Sequence, residues 1–135
     1  MKKVMVFGTF DMLHKGHENF LKQAKCKGEI LIVVVARNRN VLALKGKKPV
    51  FNLDKRIEDV KSLKIADLVI EGGKKDFYRV IWDTKPDIIC LGYDQDEKGL
   101  EEELIKKNSD IKIIRLQPYK EKRYKSSIIK NSNRY

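Results

Sequence analysis

Two short apolar runs with one amphipathic segment between them constrain this chain more than any other feature. Val4-Met5-Val6-Phe7 is β-branched and aromatic, and Ile30 to Ala36 is the most apolar stretch of the sequence. Between them, Phe20, Leu21 and Ala24 recur at helical spacing from Gly16 to Lys25, Cys26 extends that stripe, and Gly28 is a natural stop. Strand, helix and strand in roughly thirty residues form a βαβ unit, which requires a right-handed crossover and a parallel sheet. Parallel strands are covered on both faces, so they read as continuous apolar runs.

The alternation continues. Asn52 to Leu63 reads as a helix, with Asn52 as cap and Ile57, Val60 and Leu63 on one face. Asp67 to Ile70 is a third strand, closed by Gly72-Gly73, and a helix follows over Asp76 to Asp83 with Phe77, Val80 and Ile81 inward. Pro86 breaks the chain before a fourth strand, Ile88 to Leu91. Leu100 to Lys107 is a helix whose charge runs from acidic to basic, matching its dipole, and Ile111 to Leu116 is a fifth strand. Arg37 to Asn40 and Lys45 to Pro49 read as loop. The predicted fold class is therefore α/β, a single Rossmann-like doubly wound parallel five-stranded sheet over residues 1–135, ending in a basic tail, 117–135.

Composition narrows the function classes. With 135 residues the chain suits one domain, and each apolar run is too short to span a membrane. The few apolar residues between Lys3 and Gly8 are too short for a signal-peptide core, so a cytoplasmic protein is expected. Cys26 and Cys90 lack metal-ligand spacing and are expected as reduced, buried thiols. Lys and Arg total 30 against 19 Asp and Glu, a net charge of +11 that suits polyanionic ligands.

In a doubly wound sheet, ligands bind beyond the carboxyl ends of the strands. That rule gathers four loops: Gly8–His17, Arg37–Lys48, Gly92–Asp96 and Gln117–Ser127. The first delivers Gly8-Thr9-Phe10-Asp11-Met12-Leu13-His14-Lys15-Gly16-His17 from a strand to a helix start. Orphan N–H groups and the helix dipole favour an anion there, and the chain's two histidines stand on the first turn beside it. Gly16 between them lets a phosphate approach closely. Two surface or capping histidines are the plainer alternative. A zinc site on His14 and His17, completed by Asp11 or Glu18, is disfavoured because no cysteine or third histidine is near in sequence, so no metal-binding residues are assigned. Asp11 either orients an acceptor or a metal, or makes turn bonds to local backbone. Lys45, Lys47 and Lys48 either neutralise phosphates or are simply solvated. Ser126 and Ser127, at a helix start, can hold phosphate through hydroxyls and amides, or act as caps.

Gly8-Thr9-Phe10-Asp11 followed by His14-Lys15-Gly16-His17 resembles the GTFD and HxGH signature of the cytidylyltransferase-like nucleotidyltransferases. The resemblance implies the HxGH type of this fold and transfer of a nucleotidyl group from a nucleoside triphosphate to a phosphorylated acceptor, releasing pyrophosphate. Within that family, bacterial glycerol-3-phosphate cytidylyltransferases share the first motif. The acidic pair with Trp after their fourth strand, and their Arg-Thr-x-Gly-Ile-Ser-Thr-Thr tail, are not present here. Val35 to Asn38, Lys45 to Pro49, Lys85 to Gln95, and Pro118-Tyr119-Lys120 followed by Ser126-Ser127 instead look like archaeal FAD synthases, which adenylylate FMN with ATP. Asn38 stands where Asp is usual in that branch, and Tyr93 where Pro is expected.

The resemblance implies catalytic roles for His14, His17 and Lys45. It implies nucleotide contacts from Gly8, Thr9, Phe10, Lys15, Gly16 and Arg56, and base or ribose contacts from Gly92, Asp94 and Tyr119. Asp11, Arg37 and Lys47 fall to the acceptor. ATP and FMN are the expected substrates, with CTP and glycerol-3-phosphate or another small phosphorylated acceptor as the alternative. Mg²⁺ or another divalent cation is expected to travel with the triphosphate. A homodimer is implied by resemblance alone. Two other classes compete: a nucleic-acid-binding module, suggested by the charge and the tail, and a nucleotide-binding regulator without turnover. Basic residues interleaved with exposed aromatics are sparse, only Tyr119, Tyr124 and Tyr135 qualifying, so no nucleic-acid partner is expected.

Overall fold

The computed structural model describes residues 1–74, 76, 78–95 and 98–119. The elements in chain order are β1 (Lys3–Gly8), α1 (Lys15–Lys25), β2 (Ile30–Val35), α2 (Asn38–Lys45) and α3 (Leu53–Ser62). They continue with β3 (Leu68–Glu71), α4 (Arg79–Thr84), β4 (Ile88–Leu91), α5 (Lys98–Lys106) and β5 (Lys112–Arg115). The five strands form one sheet in the order β3-β2-β1-β4-β5, with every pairing parallel. The strand order reverses between β1 and β4, and that switch point is where the doubly wound fold opens a crevice.

Side-chain alternation explains the apolar runs. Val4 and Val6 of β1, with Leu31, Val33 and Val35 of β2, pack against Phe20, Leu21 and Ala24 of α1 and Val60 of α3. Met5, Phe7, Ile32 and Val34 face the other way, onto Ile81 of α4 and Leu100 and Leu104 of α5. Both faces are covered, so successive positions from Val4 to Phe7 and from Ile30 to Val35 are apolar. Gly28 turns α1 into β2 at close quarters, since a Cβ there would stand 2.8 Å from the Lys2 carbonyl oxygen. At the sheet edge Asp67 accepts from Lys25 Nζ and from the Leu31 N–H, and both bonds hold its carboxyl below the usual range.

Three sequence expectations change. Residues 38–45 form α2 where a loop was expected. Gly46 ends this helix in a left-handed conformation, φ 73°, donating its N–H to the Leu42 carbonyl, and Val41 is buried beneath it. Three polar residues followed by four apolar ones and a lysine show no helical period in so short a segment, so packing decides. The helix predicted from Asp76 begins at Arg79, where the Asp76 carboxylate caps the Tyr78 N–H at 2.9 Å; Phe77 lies outside the described residues. Cys26 is exposed at the C-cap of α1 and is not part of its buried stripe. Cys90 is buried in β4, and burial pushes its thiol up to about 11, which keeps it protonated and unreactive.

Candidate active site

β1 ends at Gly8, whose carbonyl accepts the Ala36 N–H at 2.9 Å and so ties the β1 and β2 exits together. The chain then makes two left-handed excursions at non-glycine residues, Phe10 (φ 54°) and Met12 (φ 51°). Each costs about 1–2 kcal/mol, and such strain persists only where the surroundings hold it. Phe10 is held by burial, at 0% exposure, with its ring against those of Phe20 and His17. Its side chain is core, leaving only its backbone for a ligand.

Asp11, between the two excursions, is aimed across the crevice. Its carboxylate accepts the Val50 N–H at 2.6 Å and the Phe51 N–H at 3.0 Å. These bonds are to backbone, as one reading of Asp11 had it, but they reach 39 and 40 residues along the chain. They fasten the basic segment that carries Lys47 and Lys48, both exposed, to the loop after β1. Asp11→Asn keeps one acceptor oxygen and turns an amide N–H against a backbone N–H. It is expected to raise the rate of trypsin cleavage after Lys45 or Lys47 about fivefold to tenfold, read by limited proteolysis.

The histidines form the N-terminus of α1. His14 is the N-cap, and its Nδ1 accepts the Gly16 N–H at 3.0 Å. His17 Nδ1 accepts the His14 N–H at 3.2 Å, a reciprocal capping box built from imidazoles. The rings lie 4.0 Å apart between centroids. Because both Nδ1 atoms accept, this hydrogen-bond pattern assigns the proton to Nε2 in each ring. His17 is 1% exposed, and His14 Nε2 is itself screened from solvent. Two N–H groups of fixed tautomer, with the dipole of α1 behind them, suit the oxygens of a phosphate.

Arg56 does not reach toward open solvent. It is 0% exposed, donating from Nε to the Phe51 carbonyl at 3.0 Å, from one terminal nitrogen to the Thr9 carbonyl at 2.8 Å, and from the other to Asn38 Oδ1 at 2.7 Å. Burial pushes its pKa down, and the Asp11 charge opposes that shift. The expected phosphate-binding arginine is here a clamp on three segments: the loop after β1, the start of α2 and the start of α3. Arg37, the residue before α2, is likewise engaged, with Gly72 O at 2.7 Å and the Glu71 carboxylate at 2.5 Å. With Asn38, Arg39, Leu53 and Lys74 it lines an open, basic cavity of about 410 Å³ at the exits of β2 and β3.

On the other side of the switch point, Gly92 is buried and Asp94 is exposed at the tip of the turn 92–95, closed by the Gln95 N–H to the Gly92 carbonyl at 3.1 Å. Lys15 and Tyr119 meet across a groove of about 250 Å³ shared with Glu18, Asn19 and Lys22. Lys45 is exposed at the end of α2. Ser126 and Ser127 lie outside the described residues. Gly8, Thr9 and the imidazoles thus share one sheet edge with Gly92 and Asp94, one strand apart. Sequence reasoning carried Gln95 only within the stretch 85–95 that resembles archaeal FAD synthases and gave Arg115, in the fifth strand, no role at the site, although both shape the turn that carries Asp94.

A parallel five-stranded sheet with a GTFD loop and an HxGH helix start defines a nucleotidyltransferase-type domain, and the chain belongs to the cytidylyltransferase-like family, whose sequence profile matches residues 5–132. Among similar proteins is the FAD synthase of Aciduliprofundum boonei, 48% identical over 88% of this chain and 80% of that protein. The FAD synthase of Archaeoglobus profundus is 44% identical over 94% and 82%. Among solved structures, a lipopolysaccharide core biosynthesis protein from Thermoplasma volcanium superposes with a TM-score of 0.82 at 40% identity, covering 89% of this chain and 99% of that one. Pantothenate synthetase from Thermus thermophilus, at 12% identity and a TM-score of 0.62 over 98% of this chain and 65% of that one, shares the fold alone.

Proposed function

We propose that this protein is an FMN adenylyltransferase, moving AMP from ATP to FMN to give FAD and pyrophosphate. The observation that carries the chemistry is the imidazole capping box at the N-terminus of α1, where both Nδ1 atoms accept backbone N–H groups and the ring proton of each histidine is left on Nε2. The two FAD synthases, similar over most of their length, carry the choice of acceptor.

The FMN phosphate is already an anion, so no base is required. One of its oxygens attacks the α-phosphorus of ATP, the new P–O bond forms as the bond to the bridging oxygen of pyrophosphate breaks, and pyrophosphate leaves with the electron pair. The protein must hold two anions in line and offset the charge that develops. His14 and His17 donate to the triphosphate, with the first-turn amides of α1 around them. Lys45 and Lys47 offset charge on the leaving pyrophosphate or the incoming phosphate. Arg37 stands beside the acceptor, and Gly92, Asp94 and Tyr119 face the nucleoside. Asp11 and Arg56 act by holding these loops in place. Mg²⁺ belongs to the substrate, carried on the triphosphate: the site offers N–H donors, which suit phosphate oxygens, while both Asp11 oxygens accept backbone bonds. A cytoplasmic homodimer without nucleic-acid or membrane partners completes the reading; no helix among the described residues is long and apolar enough to cross a membrane.

Purified protein with FMN, ATP and Mg²⁺ is expected to yield FAD and pyrophosphate in equal amounts, resolved by chromatography and flavin absorbance. CTP consumption with glycerol-3-phosphate, and no FAD, would transfer the assignment to the cytidylyltransferase alternative.

A further inference from the structure

We infer that Gln95 is a positioning residue for the nucleotide, its carboxamide joining the ends of β1 and β4 on either side of the switch-point crevice. The recorded pairing of these strands covers Val4↔Ile88 and Met5↔Ile89, near their starts. Beyond those pairs, Gln95 Nε2 donates to the Phe7 carbonyl at 3.0 Å and Oε1 accepts the Gly92 N–H at 2.7 Å. One planar amide therefore stands between a carbonyl of β1 and an amide of the β4 exit, as a rung made from a side chain. Phe7 directly precedes Gly8 and the phosphate-facing loop, and Gly92 opens the turn that carries Asp94.

The turn is held from its far side as well. Arg115, at the end of β5, donates from one terminal nitrogen to the Gly92 carbonyl and to the Gln95 carbonyl, both at 2.7 Å. Gln95 is thus bonded through its N–H, its carbonyl and both ends of its side chain, which leaves the 92–95 turn little freedom to shift relative to β1. Neither Glu nor Met at this position reproduces the rung, because the span needs one donor and one acceptor on a single flat group. The distance between the β1 loop and Asp94 is set by that group, and so is the fit of the nucleoside between them.

The inference rests on the proposed function, and its test separates the two. Gln95→Met and Gln95→Glu are prepared, with thermal melts to confirm folding, and ATP·Mg²⁺ and FMN are titrated separately by calorimetry alongside initial rates. Expected for each variant is an ATP dissociation constant raised about tenfold, with FMN affinity and kcat within about threefold of wild type. Should Gln95→Met fail to fold, Gln95→Glu, which keeps the acceptor for the Gly92 N–H, carries the same expectation. ATP affinity unchanged, or ATP and FMN weakened alike, overturns the positioning role. A wild-type protein that binds ATP but makes no FAD overturns the proposed acceptor, while the binding data still decide the role of Gln95.

Discussion

His17→Ala is expected to lower the rate of pyrophosphate release about a hundredfold to a thousandfold, with substrate affinities changed far less. The figure is that for removing one preorganised donor from a developing oxyanion, about 3–4 kcal/mol in the transition state. The loss at His17 is compounded by its second task. Its Nδ1 accepts the His14 N–H, so the alanine variant also frees the backbone that sets the His14 ring. His14→Ala removes a donor and the cap on Gly16, and a similar fall is expected. The helix itself survives either change, because loss of an N-cap costs only about 1 kcal/mol and Phe20, Leu21 and Ala24 anchor α1 in the core. Stopped-time assays of pyrophosphate, with circular dichroism as the control for folding, give the measurement. A rate within threefold of wild type would remove both histidines from the roles assigned to them.

The second large effect is one of stability. Arg56→Met is expected to destabilise the fold by about 3 kcal/mol, lowering the unfolding midpoint by roughly 10 °C. The guanidinium satisfies the carbonyls of Thr9 and Phe51 and the Asn38 amide oxygen from a fully buried position, and methionine fills the stem volume while satisfying none of them. Buried acceptors without donors carry the cost, about 1–3 kcal/mol each where water cannot enter and less where it can. Arg56→Lys retains the charge but presents one nitrogen where three directions are needed, so it recovers only part of the loss. Activity should fall as well, since the Thr9 carbonyl lies in the loop that joins β1 to the histidines of α1. Urea unfolding followed by fluorescence measures the first effect, and a melt equal to that of wild type would refute the clamp.

Much of this was legible from local pattern. The βαβ opening, the apolar runs and the Asn52 cap, which accepts the Lys55 N–H at 3.1 Å, all stand where periodicity places them. The GTFD and HxGH residues occupy the exit of β1 and the start of α1, as their spacing requires. α2 escaped because eight residues hold barely two turns, and its stability comes from Val41 beneath it, from Gly46 at its end and from the tethers of Arg37 and Asn40 to the loop after β3. Cys26 escaped because helical spacing continues one residue beyond the helix's last turn.

The sequence by itself determined the parallel sheet and, through the GTFD and HxGH motifs and the family they resemble, the reaction class, because each is written in patterns a few residues long. Only the tertiary structure decided which polar side chains hold the frame. Asp11, Arg56 and Gln95 bond to backbone groups between 3 and 88 residues away in the chain. Which carbonyl or amide is left without a partner is known only once strands and helices have packed. A polar residue near a motif therefore reads as a ligand contact until the backbone it serves is in view.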